Sequence, residues 1–173
     1  YFTFYDSAHF GITSVVYAGP SLDHDDPLRR LRDMFSRYEA VTYAVYRAGI
    51  MQKALRAEQP VGSLMLRELL AGALTVASGK AARLPLLYYG RALGGSQLYD
   101  HWHPIDFMIS SPEQMFGQYA QYRQILLECF QQSGYTAYSA AGLLKLIDLI
   151  HMRYLSEYVS PGMMTYLIDE VMA

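Results

Sequence analysis

The residues with the clearest potential for chemistry lie in one short stretch, YDHWHPID, at positions 99–106. It carries His101, His103, Asp100 and Asp106, together with the single tryptophan of the chain. On an extended backbone the two imidazoles fall on the same side, because side chains alternate along a strand. Zinc takes about four ligands, and catalytic sites usually draw three of them from the protein. The stretch therefore raises the hypothesis of a metal site built from His101, His103 and Asp106.

The rest of the sequence favours a different interpretation of this stretch. The only later histidine is His151, which falls in a predicted helix and not on a following strand. Pro104 biases His103 toward an extended conformation, and the large apolar ring of Trp102 can anchor a loop to the core. We predict a structured connecting loop with no metal and no cofactor. The alternative is a small metal-dependent, hydrolase-like enzyme centred on the loop at 94–111.

A second candidate is the pair Asp148 and His151, three residues apart on a predicted helix. Residues at this spacing share a helix face, as in the carboxylate-bridged di-iron bundles. Those sites need two such motifs and further glutamates, whereas this chain has one copy with aspartate in place of glutamate. We therefore predict that His151 lies at the edge of the core and is hydrogen-bonded to Asp148.

The run DHDDPLRRLR, at positions 23–32, is a third candidate. Its carboxylates, Asp23, Asp25 and Asp26, suit a hard cation, but their spacing is not that of an EF-hand loop. Asp26 before Pro27 is a typical helix start, which explains that aspartate without a ligand. The arginines in and after this run suggest an alternative function, a structural protein that contacts nucleic acid through Arg29, Arg30, Arg32 and Arg37.

Motifs for phosphate binding and nucleophilic catalysis are absent from the sequence. The segment GRALGGSQ is glycine-rich but lacks the Gly-Lys-Ser/Thr of a P-loop. No Gly-x-Ser-x-Gly elbow occurs. The single cysteine, Cys129, lies in the apolar run ILLECF, so we expect a buried small hydrophobe and not a nucleophile.

The composition points to a surface that is covered by protein. Apolar residues make up 52% of the chain and charged residues 17%, with 16 tyrosines and 9 methionines. Tyrosine and methionine are enriched at protein interfaces. We therefore expect a protein partner or self-association, and the candidate interface residues on predicted helices are Tyr43, Tyr46, Tyr119, Tyr122, Tyr154 and Tyr158.

The charge distribution supports association and disfavours nucleic acid as the partner. The net charge is −2, yet residues 1–91 carry eleven Arg/Lys against eight Asp/Glu, and residues 92–173 carry three against eight. Halves of opposite sign attract one another within a fold or between copies. No run reaches 18 apolar residues, so we expect no membrane span, and nothing resembles a secretory signal, which favours an intracellular location.

The hydrophobic pattern predicts a mainly α-helical, single compact domain over residues 1–173. Two β-prone runs fall within a segment at 1–20, which we expect to form a hairpin that packs on the helices. Helical spacing and capping signals predict five to six helices. Their predicted ranges are 27–55 with a possible break at Gly49, 63–79, 81–93, 111–133, 136–158 and a terminal helix after Pro161.

The helix at 63–79 is apolar on nearly all sides, so we expect it at the centre of the core. From this pattern and the missing catalytic constellation we predict a non-enzymatic structural or interaction domain, a helical subunit of a larger protein assembly.

Overall fold

The computed structural model describes residues 2–6, 11–16, 19–36, 41–86, 89–93, 107 and 110–158, with side chains at 19–36, 41, 43–86, 107 and 110–155. The fold is mainly helical, which confirms the predicted fold class. The α-helices of the described part are α1 (Pro27–Ser36), α2 (Ala48–Ala57), α3 (Leu64–Ser78), α4 (Pro112–Gln132) and α5 (Ala140–Tyr158).

Three short strands form one sheet in the described backbone: β1 (Phe2–Asp6), β2 (Gly11–Val16) and β3 (Tyr89–Leu93), in the order β2-β1-β3. β1 and β2 pair antiparallel, which confirms the expected hairpin. β3 pairs parallel with β1. The predicted helix at 81–93 is therefore wrong: its last five residues form a strand, and the described residues 81–86 are not helical, with Ala81 pairing with Leu22 in an isolated bridge. A glycine beside an aromatic residue weakens the helical preference there, and β1 provides a pairing edge that the local sequence does not reveal.

The predicted long helix at 27–55 is also wrong, because the chain forms two separate helices. α1 runs antiparallel to α3, since Arg30 bonds the carbonyls of Val76 and Ala77 near the end of α3. α2 runs antiparallel to α3 as well, with Glu58 beside Arg67. A helix of that length would span roughly 40 Å, far more than α3 can cover. Gly49 lies inside α2, so the break is not there; the described part of the connection holds the short 3-10 turn Val41–Tyr43, and both helices pack on α3.

α3 is the centre of the helical core, as the sequence predicts. Its side chains are buried from Leu69 to Ala77 without interruption, and it packs against α1, α2 and α4. Ser63 caps its first turn by accepting a hydrogen bond from the backbone N–H of Leu66, at 3.3 Å. A helix that is apolar on all sides gains from burial in every direction, so it takes the central place.

α4 and α5 form a helical hairpin beside this centre. Gly134, with φ of 75°, ends α4 in the left-handed conformation, and its N–H donates to the carbonyl of Gln131. α5 begins four residues later than predicted, where the Ser139 hydroxyl accepts from the N–H of Gly142. α5 then packs against α1 and α4. The predicted terminal helix after Pro161 lies outside the described residues.

The close packing of α3 against α1 leads to a testable expectation at Gly72. A Cβ there would lie 3.3 Å from Val41 Cγ2 and 3.7 Å from the end of Met34, so Gly72→Leu should overpack the core. We expect the free energy of unfolding to fall by about 1–3 kcal/mol, measured by urea denaturation. Gly117→Leu is the matched control, because nothing lies within 4 Å of a Cβ at that exposed helical position. Equal stability of the two variants would contradict the central place of α3.

Candidate functional site

The polar residues that the structure brings together lie between α4 and α5. Tyr119, Tyr122 and Arg123 occupy one side of α4, and Asp148 and His151 face them from α5. Tyr119 lies three and four positions before Tyr122 and Arg123 on α4, and Asp148 lies three positions before His151 on α5, so the residues of each helix are close together on one side of it. The Asp-x-x-His pair of the sequence is therefore turned toward α4, and its two side chains take different partners there.

His151 is a core histidine, 3% exposed, and both its ring nitrogens are engaged. Nδ1 lies 2.8 Å from the carbonyl oxygen of Ile147, and Nε2 lies 2.6 Å from the hydroxyl of Tyr122. A carbonyl can only accept, so Nδ1 carries the proton, and in the neutral ring Nε2 then accepts from the hydroxyl of Tyr122. Burial lowers the pKa of His151 to about 4, in keeping with this neutral form.

Aromatic rings close the space around this imidazole. The ring of Phe35 on α1 lies 4.4 Å from it between centroids, and that of Tyr122 lies 4.9 Å away, edge to face. Tyr119 and Tyr122 stack with centroids 5.9 Å apart. These contacts tie α1, α4 and α5 together around one buried polar group.

Asp148 bonds to α4 and not to His151, which corrects the predicted pairing. Its Oδ1 accepts from the hydroxyl of Tyr119 at 2.9 Å, and its Oδ2 accepts from Nη1 of Arg123 at 2.8 Å. Burial, and next the charge of Asp148, raise the pKa of Tyr119, so this phenol stays protonated and acts as a donor. Asp148 thus joins α4 and α5 at the partly buried edge of their contact, and His151 joins the two helices in its interior.

This arrangement has the character of a structural network. Both imidazole nitrogens and both carboxylate oxygens already have protein partners, so the contact between α4 and α5 accounts for this arrangement. Among the described residues, no group of three or more His, Cys, Asp and Glu could hold a metal ion. The stretch with His101, His103 and Asp106 lies outside the described residues, so the loop at 99–106 and its metal alternative stay predictions.

The aspartates before α1 act as helix and loop contacts. Asp26 accepts from the N–H of Leu28 at 2.8 Å, which is the predicted capping role, and from the hydroxyl of Tyr135 at 3.0 Å. Asp25 pairs with Lys80 at 2.5 Å, and this lysine lowers the pKa of Asp25. Tyr135 therefore joins the start of α1 to the α4–α5 connection through the capping residue itself.

The arginines of α1 do not form one basic surface. Arg30 is 5% exposed, and its guanidinium donates to four backbone carbonyl oxygens, those of Val76, Ala77, His24 and Asp25. Because these donors are already bonded to the backbone and the side chain is buried, Arg30 is no longer a candidate phosphate contact. Arg29 is exposed, Arg32 pairs with the adjacent Asp33, and Arg37 lies outside the described residues.

The candidate interface tyrosines divide into core and surface residues. Tyr122 and Tyr154 are buried in the core, so the interface assignment does not hold for them. Tyr119 is half-buried, and Tyr46 is half-buried with its hydroxyl donating to the carbonyl of Val41. Tyr43 is exposed. The side chain of Tyr158 lies outside the described residues.

The helical core holds one feature that the sequence predicts, a packing cysteine, and one that it does not, an ion pair. Cys129 is half-buried with its Sγ 3.7 Å from the Ser78 hydroxyl, and burial raises the pKa of its thiol, which fits a packing role. Glu58 is buried and accepts from Nη2 of Arg67 at 3.2 Å, while the buried Nε of Arg67 has no partner. No sequence signal marks this ion pair, because its partners come from different helices.

None of the helices in the described ranges is long and apolar enough to span a bilayer. Comparisons with protein-family models, with curated proteins and with solved structures found no match to this chain.

Proposed function

We propose that this chain is a non-enzymatic helical interaction domain, a subunit of a larger protein assembly. The observation that carries the proposal is the number of large apolar side chains left exposed. Single exposed apolar residues are ordinary on a protein surface, but contiguous groups mark interaction sites. The exposed set comprises Tyr43, Val45, Leu55, Leu64, Leu84, Leu86, Phe116, Tyr138, Leu149 and Met152.

Two of these side chains lie at the same end of the helical core. Leu64 begins α3 and is 63% exposed, and Phe116 lies in the first turns of α4 and is 61% exposed. The two helix starts are joined, because the backbone N–H of Ser63 donates to the side-chain oxygen of Gln118. Leu64 and Phe116 thus leave two large apolar side chains exposed at one end of the helical core, where a protein partner could cover them.

The polar chemistry of the described residues supports an interaction role over an enzymatic one. Hydrogen bonds within the α4–α5 contact already engage His151, Asp148 and Tyr119. The tyrosine and methionine content adds to this argument, since both residue types are enriched at protein interfaces. The metal-dependent and nucleic-acid alternatives have no comparable support among the described residues.

A double variant, Leu64→Gln with Phe116→Gln, tests the proposal. We expect the association constant of the chain with itself, measured by sedimentation equilibrium, to fall about tenfold or more. The melting temperature should change little, because both side chains are exposed in the folded chain.

The matched control is Leu149→Gln with Met152→Gln, which removes two exposed apolar side chains one turn apart on α5. It should weaken association less than the first pair. If neither double variant changes the association constant, exposed apolar side chains do not carry the interaction.

A further inference from the structure

The buried side of α5 is narrow and contains one group that titrates in acid. It consists of four side chains at spacings of three and four residues, each 6% exposed or less: Leu143, Ile147, His151 and Tyr154. α3, by comparison, buries eleven of its fifteen residues, and none of those side chains titrates in acid. The packing of α5, unlike that of α3, therefore depends on the protonation state of one side chain.

The groups around the imidazole of His151 come from three helices. From α4, the hydroxyl of Tyr122 lies 2.6 Å from Nε2, and the ring of Tyr119 lies 5.9 Å away between centroids. α1 contributes the ring of Phe35, and α5 itself contributes the carbonyl of Ile147 beside Nδ1. An added proton thus enters a space lined by aromatic rings, one hydroxyl and one carbonyl, where a charge is poorly solvated.

The charged groups of the same contact lie at its edge. Asp148 pairs with Arg123 at 2.8 Å and also accepts from the hydroxyl of Tyr119, so its carboxylate is already engaged by two donors of α4. Burial lowers the pKa of His151 more than the charge of Asp148 raises it. Among the described residues, no carboxylate bonds to the imidazole and holds its protonated form in place.

The position of α5 in the fold allows it to move without the other helices. α5 packs against α1 and α4, whereas α3 packs against α1, α2 and α4. Most of the connection from α4 to α5 is exposed, and it contains Gly134 at positive φ. If α5 moves away, α1, α2 and α4 keep their contacts with α3. Openings of one element in this way require less free energy than complete unfolding.

We propose that His151 makes the attachment of α5 acid-sensitive: protonation of its imidazole releases α5 from α1 and α4, while α1, α2 and α4 stay folded around α3. Release uncovers Phe35 and Tyr122, which are buried in the closed form, together with the four inner side chains of α5. Acid therefore exposes an apolar surface of the kind that a protein partner covers. This inference does not depend on whether the closed form associates.

The sign and size of the effect follow from the two forms of His151. In the released helix the imidazole has its ordinary pKa of 6.5, against about 4 in the closed form. Acid therefore favours release, which begins as the pH falls below 6.5. At pH 4 the ratio of released to closed molecules should be roughly 100-fold higher than at pH 7.

Hydrogen exchange of the whole chain at pH 7 and pH 4, corrected for the intrinsic exchange rate at each pH, tests the inference. Protection of the α5 amides should fall roughly 100-fold between the two pH values. At pH 4 these amides should be at least about tenfold less protected than those of Leu69–Ala77 in α3. His151→Gln should remove the pH dependence in α5, and the matched variant Asp148→Asn should retain it.

Two results would overturn the inference. Equal protection of α5 and α3 at every pH would show that α5 opens only when the whole fold does. PH dependence that persists in His151→Gln, or disappears in Asp148→Asn, would assign the response to another group. Should His151→Gln not fold, proton NMR of the unchanged chain decides, because proton uptake by His151 and loss of α5 protection must then share one midpoint.

Discussion

Replacing Arg30 with methionine is expected to lower the free energy of unfolding by about 3 kcal/mol or more, which is large against a typical total of 5–15 kcal/mol. The guanidinium donates to the carbonyls of Val76 and Ala77 at the end of α3 and to those of His24 and Asp25 before α1. Methionine fills similar space but leaves these acceptors without donors. Each buried polar group left unsatisfied costs about 1–3 kcal/mol.

Urea denaturation checks this expectation against two comparison variants. Arg32→Met removes an exposed arginine two residues away, paired with its neighbour Asp33, and should change stability by less than about 1 kcal/mol. Arg30→Lys should restore little, because an ammonium cannot reproduce the planar fork that reaches carbonyls on two sides. Similar losses for Arg30→Met and Arg32→Met would contradict the buried role of Arg30.

Acidification from pH 6.5 to pH 4 is expected to destabilise the fold through His151. Burial lowers the pKa of His151 from its ordinary 6.5 to about 4 in the folded chain, so only the unfolded chain binds a proton in this range. Stability is therefore fully present above pH 6.5 and is lost as the pH falls. A difference of this size corresponds to about 3 kcal/mol between the two ends of the range.

The measurement is the free energy of unfolding against pH for the unchanged chain and for His151→Gln. Removing the imidazole should flatten the slope between pH 6.5 and 4, whatever it does to stability at neutral pH. Glu58 acts in the opposite sense, because burial raises its pKa, so the difference between the two chains isolates the histidine. His24→Gln should retain the slope, since His151 still titrates. An unchanged slope in His151→Gln would contradict the neutral core histidine.

The sequence was a good guide to the local features of this fold. Asp26 and Ser63 were recognisable helix starts because a cap needs only a side-chain acceptor and the next turn of backbone. Gly134 was recognisable as a helix end because glycine tolerates positive φ. The central position of α3 followed from its uniformly apolar surface.

The features that were missed depend on partners distant in sequence. The strand Tyr89–Leu93 is set by pairing with β1, more than 80 residues earlier. Arg30 reads as a surface arginine until its acceptors on α3 are known. His151 was correctly predicted to be structural, but its partner is Tyr122, because the packing of α4 on α5 decides which hydroxyl reaches the imidazole. Spacing along a helix determines on which face a residue lies, but it does not determine which atom of a neighbouring helix its side chain contacts.

The most direct test of the proposed role is the native mass of the unchanged chain across a concentration series at low and high salt. Sedimentation velocity is expected to give a mass that rises above the 19.6 kDa of a single chain as concentration increases. Added salt should lower it little, because screening acts on exposed charges and not on the burial of exposed apolar side chains. A mass that stays at 19.6 kDa at every concentration and salt level, with no protein partner recovered from its source, would contradict the proposal that this protein works as a subunit of a larger protein assembly.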